Sequence, residues 1–277
     1  MSKNKIKLLA LDLDGTTLRD NNTLSPAVKA AIEKAVANGI EVVAASGRPF
    51  GTMPEEVLSI SGVDYVITSN GAAIYDRSRN CIHRQLLDPD EVIKLLEITK
   101  PYDLIFEAFV EGLTYTDLRY VTDPVKYGCT EAYVDYVRSA HGKIADMRKF
   151  IYDHRNELDS VEFIEQDEAL GKKLWKKIEE STDGFYITSS TRSFVEFMAK
   201  NATKASALEW LCGSLGIDRS ETAACGNADN DADMIKWAGL GSAVKNASPV
   251  CIRNADIVVA SNNDDGVAEL IDLILRR

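Results

Sequence analysis

No stretch of this chain is apolar for anything near the roughly 20 residues that cross a bilayer. The opening Met1-Ser2-Lys3-Asn4-Lys5 leads into a short strand-like run ending in acids, not into the apolar core of a secretory signal. A cytoplasmic chain without a membrane anchor is the expectation. The five cysteines (Cys81, Cys129, Cys212, Cys225, Cys251) are odd in number, scattered and without a C-x-x-C pair. That excludes a disulfide framework and a zinc site and fits reduced thiols. Basic charge is also short: 32 Lys and Arg stand against 43 Asp and Glu, a formal net charge of −11. No basic stripe speaks for nucleic acid. Of the few histidines, His83, His141 and His154 lack ligand spacing and read as surface residues. Trp175, Trp210 and Trp237 fall on helices and read as core. Repeats and low-complexity tracts are missing too.

What is present is globular. The hydrophobic fraction of 45% and charged fraction of 27% are ordinary, and 277 residues suit one large domain or two modest ones. Ile6 to Leu11 is nearly continuous hydrophobic and stops at Asp12, as a strand buried on both faces would. Ser25 as N-cap, Pro26 as first helical residue and Gly39 just past the end frame a helix whose apolar stripe is Val28, Ala31, Ile32, Ala35 and Val36. Buried strands follow at 40–45 and 65–68. The grammar returns after 190: a helix over 204–215, strands at 222–225 and 256–259, and helices over 229–238 and 264–275. Alternation of this kind predicts an α/β fold with a Rossmann-like parallel-sheet core. The middle is aromatic-rich and alternating, with a helix opening at Asp88-Pro89 and hairpin-like pairs such as 185–188 with 194–198. It predicts an inserted α+β domain over 84–190, with the core formed by 1–83 and 191–277. The run Gly239 to Val244 looks like a dinucleotide loop but lacks the third small residue and is set aside.

Ligands of open parallel sheets collect at the carboxyl ends of the strands. Those ends carry Asp12-Leu13-Asp14-Gly15-Thr16, then Ser46-Gly47-Arg48, then Asn70-Gly71, then Gly226-Asn227-Ala228-Asp229-Asn230-Asp231. Asp and Gly favour turns, which is the plain reading of each piece. It weakens because Asp12 directly ends a buried run, where desolvation is costly without a compensating cation. Two neighbouring carboxylates call for a hard divalent ion, and Mg²⁺ suits a site with few protein oxygens and a substrate phosphate. An Asp can serve as nucleophile toward phosphorus, and a second one two residues on can move the proton.

These segments resemble the four motifs of the haloacid dehalogenase-like superfamily. Asp12 to Leu18 is similar to the first, Ala45-Ser46-Gly47-Arg48-Pro49 to the second, Lys204 within 201–208 to the third, and 226–235 to the fourth. Asn246-Ala247 and 261–268 resemble the C-terminal signature of its Cof-type sugar-phosphate phosphatases, whose α/β cap also sits between the second and third motifs. The resemblance covers essentially the whole chain. It implies Asp12 as nucleophile, Asp14 as acid and base, and Lys204 as the charge on both nucleophile and phosphoryl group. It further implies Ser46, Gly47, Arg48, Asn70 and Asn230 toward the substrate, and Mg²⁺ held by Asp12, Asp14, Asn227 and Asp231. Arg48 and Asn70 also read as turn residues. Two positions depart from the pattern: Asn227 stands where the family has Asp, and Ala205 where it has Gly.

The implied activity is Mg²⁺-dependent hydrolysis of small phosphorylated metabolites, sugar phosphates first, through an aspartyl-phosphate. A cap of this size is expected to exclude bulky polymers. The partner is then a small phosphorylated metabolite, with no nucleic acid and no membrane, in a monomer or weak homo-oligomer. Two rivals stay open: a phosphomutase using the same intermediate, and a non-catalytic phosphometabolite sensor, which Asn227 favours.

Overall fold

The computed structural model describes residues 5–131, 134–189 and 193–276. Its strands, in chain order, are β1 (Leu8–Leu11), β2 (Glu41–Ala45), β3 (Tyr65–Thr68), β4 (Ala73–Asp76), β5 (Cys81–Arg84), β6 (Ile105–Val110) and β7 (Leu113–Asp117). Then follow β8 (Gly142–Ile144), β9 (Leu158–Ile164), β10 (Phe185–Thr188), β11 (Phe194–Ala199), β12 (Thr222–Gly226), β13 (Leu240–Val244) and β14 (Ile257–Val259). The helices are α1 (Pro26–Ala37), α2 (Glu55–Leu58), α3 (Pro89–Thr99), α4 (Leu118–Thr122), α5 (Val134–Ala140) and α6 (Met147–Asp153). After them come α7 (Glu168–Ser181), α8 (Lys204–Leu215), α9 (Ala232–Trp237), α10 (Pro249–Asn254) and α11 (Gly266–Leu275).

Among the described residues the strands form two sheets. The first has eight strands in the order β14-β13-β12-β1-β2-β3-β4-β5, parallel from β14 to β3. Successive residues of β1 go to opposite faces. Leu9 and Leu11 pack under α1 and α11, while Leu8 and Ala10 pack against Leu208, Leu211 and Met234 of α8 and α9. Burial on both faces explains why β1 and β2 read as continuous apolar runs rather than alternating ones. The caps read from sequence are in place: the Ser25 side chain accepts from the Val28 N–H at the start of α1, with Pro26 as its first residue. Residues 240–244 of the run 239–244 are β13, a buried strand, which accounts for the small residues there without a nucleotide.

The second sheet has six strands in the order β10-β11-β9-β6-β7-β8, antiparallel except for β7 with β8. One face packs Phe106, Val161, Phe163 and Phe197 against α3, α6 and α7. The other is mixed: Ile105 and Ile164 sit with Tyr120, Val121 and Val137. Beside them the register aligns three glutamates, Glu107 opposite Glu162 and Glu162 opposite Glu196. All three are buried, at 4%, 7% and 2% exposure. His141 lies next to this row, Nε2 3.5 Å from Glu107, with its side chain 6% exposed. The expectation of a surface residue is therefore corrected for His141. It is corrected in the other direction for Trp210, which is 38% exposed and stacks on His83 at 4.4 Å between ring centres.

The chain divides into two compact units, one of Met1–Gly47, Met53–His83 and Thr203–Arg277, the other of Arg48–Thr52 and Arg84–Ala202. The boundary expected at 190/191 lies outside the described residues. β11, beyond it, is hydrogen-bonded between β9 and β10, so the chain re-enters the first unit at Thr203. Arg48–Thr52 goes with the second unit, where the Gly51 N–H donates to the Gly112 carbonyl at 2.7 Å.

Candidate active site

The switch in strand order of the first sheet lies at β1, which is flanked by β2 on one side and β12 on the other. Asp12 is the first residue past β1, and its N–H still donates to Cys225 of β12 at 3.0 Å. Its carboxylate is thereby held at the rim of the sheet, and the residue is 5% exposed. Lys204 opens α8 on a capping box. Thr203 Oγ1 accepts from the Ser206 N–H and Ser206 Oγ from the Thr203 N–H, each at 3.0 Å. Two orphan donors of the helix start are satisfied, which fixes the first turn and the root of the lysine.

The lysine is 1% exposed and its ammonium bridges two carboxylates, Asp12 Oδ1 at 2.8 Å and Asp231 Oδ1 at 2.6 Å. Asp231, fully buried, accepts on Oδ2 from the N–H groups of Asn227 (2.9 Å) and Ala228 (3.0 Å). Both Asp231 oxygens are therefore engaged. Asp12 Oδ2 differs: it is buried and has no hydrogen-bond partner among the described residues. Burial would pull the lysine pKa down, but the charges of Asp12 and Asp231 prevail and hold it above its usual value, so it stays charged. Asp12 is pushed up to about 7, chiefly by burial and then by the Asp231 charge, with Lys204 opposing and Asp14 adding a little.

The first turn after β1 contains Asp14, half-buried, at φ −72° and ψ 115°. Thr16 donates to Asn227 Oδ1 at 3.1 Å, which brings the first and fourth sequence segments together, and Thr17 donates to the Asp12 carbonyl at 2.5 Å. Ser46, 1% exposed, continues the sheet beyond β2 by donating to Ile67. Its carbonyl accepts from the Asn70 N–H at 3.1 Å. Gly47 packs closely on Asn70: a Cβ there would stand 3.1 Å from Asn70 Oδ1, tight enough that the amide would have to shift by a few tenths of an ångström. That oxygen accepts from Asn230 Nδ2 at 2.8 Å. Asp12, Lys204 and Asp231 thus form one cluster, Ser46, Asn70 and Asn230 another, and Asn227 meets the turn after β1. Arg48 belongs to the second unit, where its guanidinium donates to the Thr52 carbonyl at 3.2 Å and lies 5.2 Å over the Tyr136 ring.

Sequence reasoning did not single out Thr16 and Thr17, nor the work of the C-terminal segment. Asn246 Nδ2 donates to the Gly15 carbonyl at 2.8 Å, and Asn262 Nδ2 to the Leu18 carbonyl at 3.0 Å. Asn262 also donates through its N–H to Asn246 Oδ1 at 3.0 Å. Two asparagines from the end of the chain thus brace the turn that follows Asp12. Their signal was the Asn246 and Asn262 positions of the terminal signature.

The sheet thus presents a lysine-bridged carboxylate pair at its topological switch, where open α/β folds place their ligand sites. The haloacid dehalogenase-like hydrolases match residues 9–271. YxeH of Bacillus subtilis (strain 168) is 31% identical over 276 residues, covering 98% of this chain and 99% of that protein. The 5-amino-6-(5-phospho-D-ribitylamino)uracil phosphatase YcsE of the same organism is 28% identical, covering 96% and 94%. A solved haloacid dehalogenase-like hydrolase from B. subtilis superposes with a TM-score of 0.83 at 27% identity, covering 96% of this chain and 99% of that one. The chain belongs to the haloacid dehalogenase-like hydrolase family, and its parallel-sheet α/β class is the one read from the sequence. Among the described residues no helix is long and apolar enough to cross a membrane.

Proposed function

We propose that the protein is a Mg²⁺-dependent phosphatase of small phosphorylated metabolites, with Asp12 as nucleophile. The observation that carries this reading is the split environment of the Asp12 carboxylate, with Oδ1 on the Lys204 ammonium and Oδ2 buried and unpartnered. A hard cation there would be held by the Asp12 carboxylate, the Asp14 main-chain carbonyl and the Asn227 amide oxygen, with Asp231 behind them, an all-oxygen set of the kind such an ion takes. Among the described residues no three His, Cys, Asp or Glu side chains form a metal cluster by themselves. Bound there, Mg²⁺ would supply positive charge on the Oδ2 side and offset charge on a phosphoryl oxygen.

The chain's own residues would do the rest. Asp12 attacks phosphorus in line, and the phosphorus–oxygen ester bond breaks as Asp14 hands its proton to the departing alkoxide. Asp14, now ionised, takes a proton from water, whose oxygen attacks the aspartyl-phosphate. Inorganic phosphate leaves and Asp12 is restored. Lys204 and the Ser46 hydroxyl hold phosphoryl oxygens throughout. The relative YcsE acts, by its name, on a phosphoribityl compound. A phosphorylated polyol or sugar is the substrate class that follows.

The test is release of inorganic phosphate from p-nitrophenyl phosphate and a panel of sugar phosphates with Mg²⁺. Asp12→Asn should abolish it while the far-ultraviolet circular dichroism stays as in the wild type, and undiminished turnover in that variant refutes the assignment. Turnover only after addition of a sugar bisphosphate would favour a phosphomutase. Asn227, which brings no charge to the cation, favours a phosphometabolite sensor, and that reading requires no turnover across the whole panel.

A further inference from the structure

β3 ends in a turn that side chains rarely allow. Ser69 and Asn70 stand at φ 49° and 55°, and Gly71 follows at 106°. Two successive left-handed residues other than glycine persist only where their surroundings over-determine them. Three contacts do so here, each to a different loop of the same unit. The Asn70 N–H donates to the Ser46 carbonyl at 3.1 Å. The Asn70 side chain accepts from Asn230 Nδ2 at 2.8 Å, with the two residues 3% and 5% exposed. Gly71 lies against the start of α8 so closely that a Cβ there would be 2.2 Å from the Thr203 carbonyl oxygen and 2.9 Å from the Lys204 nitrogen.

We propose that Asn70 is a positioning residue for phosphoryl transfer, acting through Asn230 rather than by touching substrate. Its turn registers the three loops that carry Ser46, Lys204 and Asp231 against one another. Asp231 follows Asn230 directly and fixes the lysine from the far side, so a change in the Asn230 amide moves the lysine relative to Asp12. The inference rests on reading the centre as a phosphatase.

Asn70→Gly separates the side chain from the backbone, because glycine accepts the left-handed conformation and only the amide is lost. With p-nitrophenyl phosphate and Mg²⁺, Asn70→Gly and Asn230→Ala should each lower kcat about tenfold, the equivalent of one hydrogen bond, with KM nearly unchanged. The double variant should lose no more than either single one, since both remove the same contact. The melting temperature of Asn70→Gly should stay close to that of the wild type. Full kcat in Asn70→Gly, or losses that multiply in the double variant, overturns the proposal. Orthovanadate affinity by calorimetry reads the same brace without turnover and should weaken in both single variants. A protein that hydrolyses nothing yet shows this weakening refutes the phosphatase reading alone; unchanged vanadate affinity refutes the positioning role.

Discussion

Glu162 is the place to perturb the second unit, because it sits between two other carboxylates with no cation among the causes that shift it. Burial first, and then the charges of Glu107 and Glu196 and a hydrogen bond shared with Glu107, raise its pKa well above the usual value near 4.5. A carboxyl with a raised folded-state pKa binds its proton more tightly folded than unfolded. Its contribution to stability is therefore complete below the ordinary value and fades as pH climbs through the folded one. In that window one proton corresponds to a loss of about 1.4 kcal/mol per pH unit. The second sheet should therefore lose stability from this residue as the pH rises above the ordinary carboxyl range. Glu162→Gln is a close isostere of the protonated form and carries no titratable proton. The variant should match the wild type near pH 5 and exceed it increasingly toward pH 8. Hydrogen exchange at the amides of β6, β9 and β11 reads this locally, and contributions from Asp12 in the other unit cancel between the two proteins. A pH slope in the variant equal to that of the wild type would refute the reasoning.

Other expectations concern the first unit. Lys204→Met leaves Asp12 and Asp231 buried without their cation and should destabilise by about 3–5 kcal/mol in chemical denaturation at neutral pH; an unchanged midpoint counts against the pair as described. Gly71→Ala places a methyl against the Thr203 carbonyl in a left-handed residue and should lower stability by at least about 2 kcal/mol. A melting temperature equal to that of the wild type would contradict the close approach. Asn227→Asp adds a negative charge to the cation's donor set and should cut the Mg²⁺ concentration for half-maximal activity by roughly tenfold. An unchanged metal requirement removes Asn227 from that set.

Much of the first unit was legible because short-range rules decide it. Runs such as Leu8–Leu11 are buried on both faces, Ser25-Pro26 caps a helix, and a polar cluster follows each strand, so periodicity and punctuation suffice. What depends on distant pairing was not legible. For the run 239–244 the sequence only set a dinucleotide loop aside, and residues 240–244 are a strand by virtue of the partners β12 and β14. His141 reads as a surface residue by type, and only folding sets it beside Glu107. The glutamates at 107, 162 and 196 carry no mark of burial in the sequence, since register across β6, β9 and β11 alone aligns them.

The same division runs through the candidate site. Residue types and their order along the chain determined that Asp12, Asp14, Ser46, Lys204 and Asp231 would stand at strand or helix ends, because a parallel sheet sends those ends one way. The tertiary structure decided which atoms meet: that Lys204 bridges Asp12 and Asp231, that Asn70 is engaged by Asn230, and that Arg48 goes with Tyr136. Spacing in sequence sets direction and rough place. Side-chain pairing across some two hundred residues depends on how loops pack, and no local pattern encodes that.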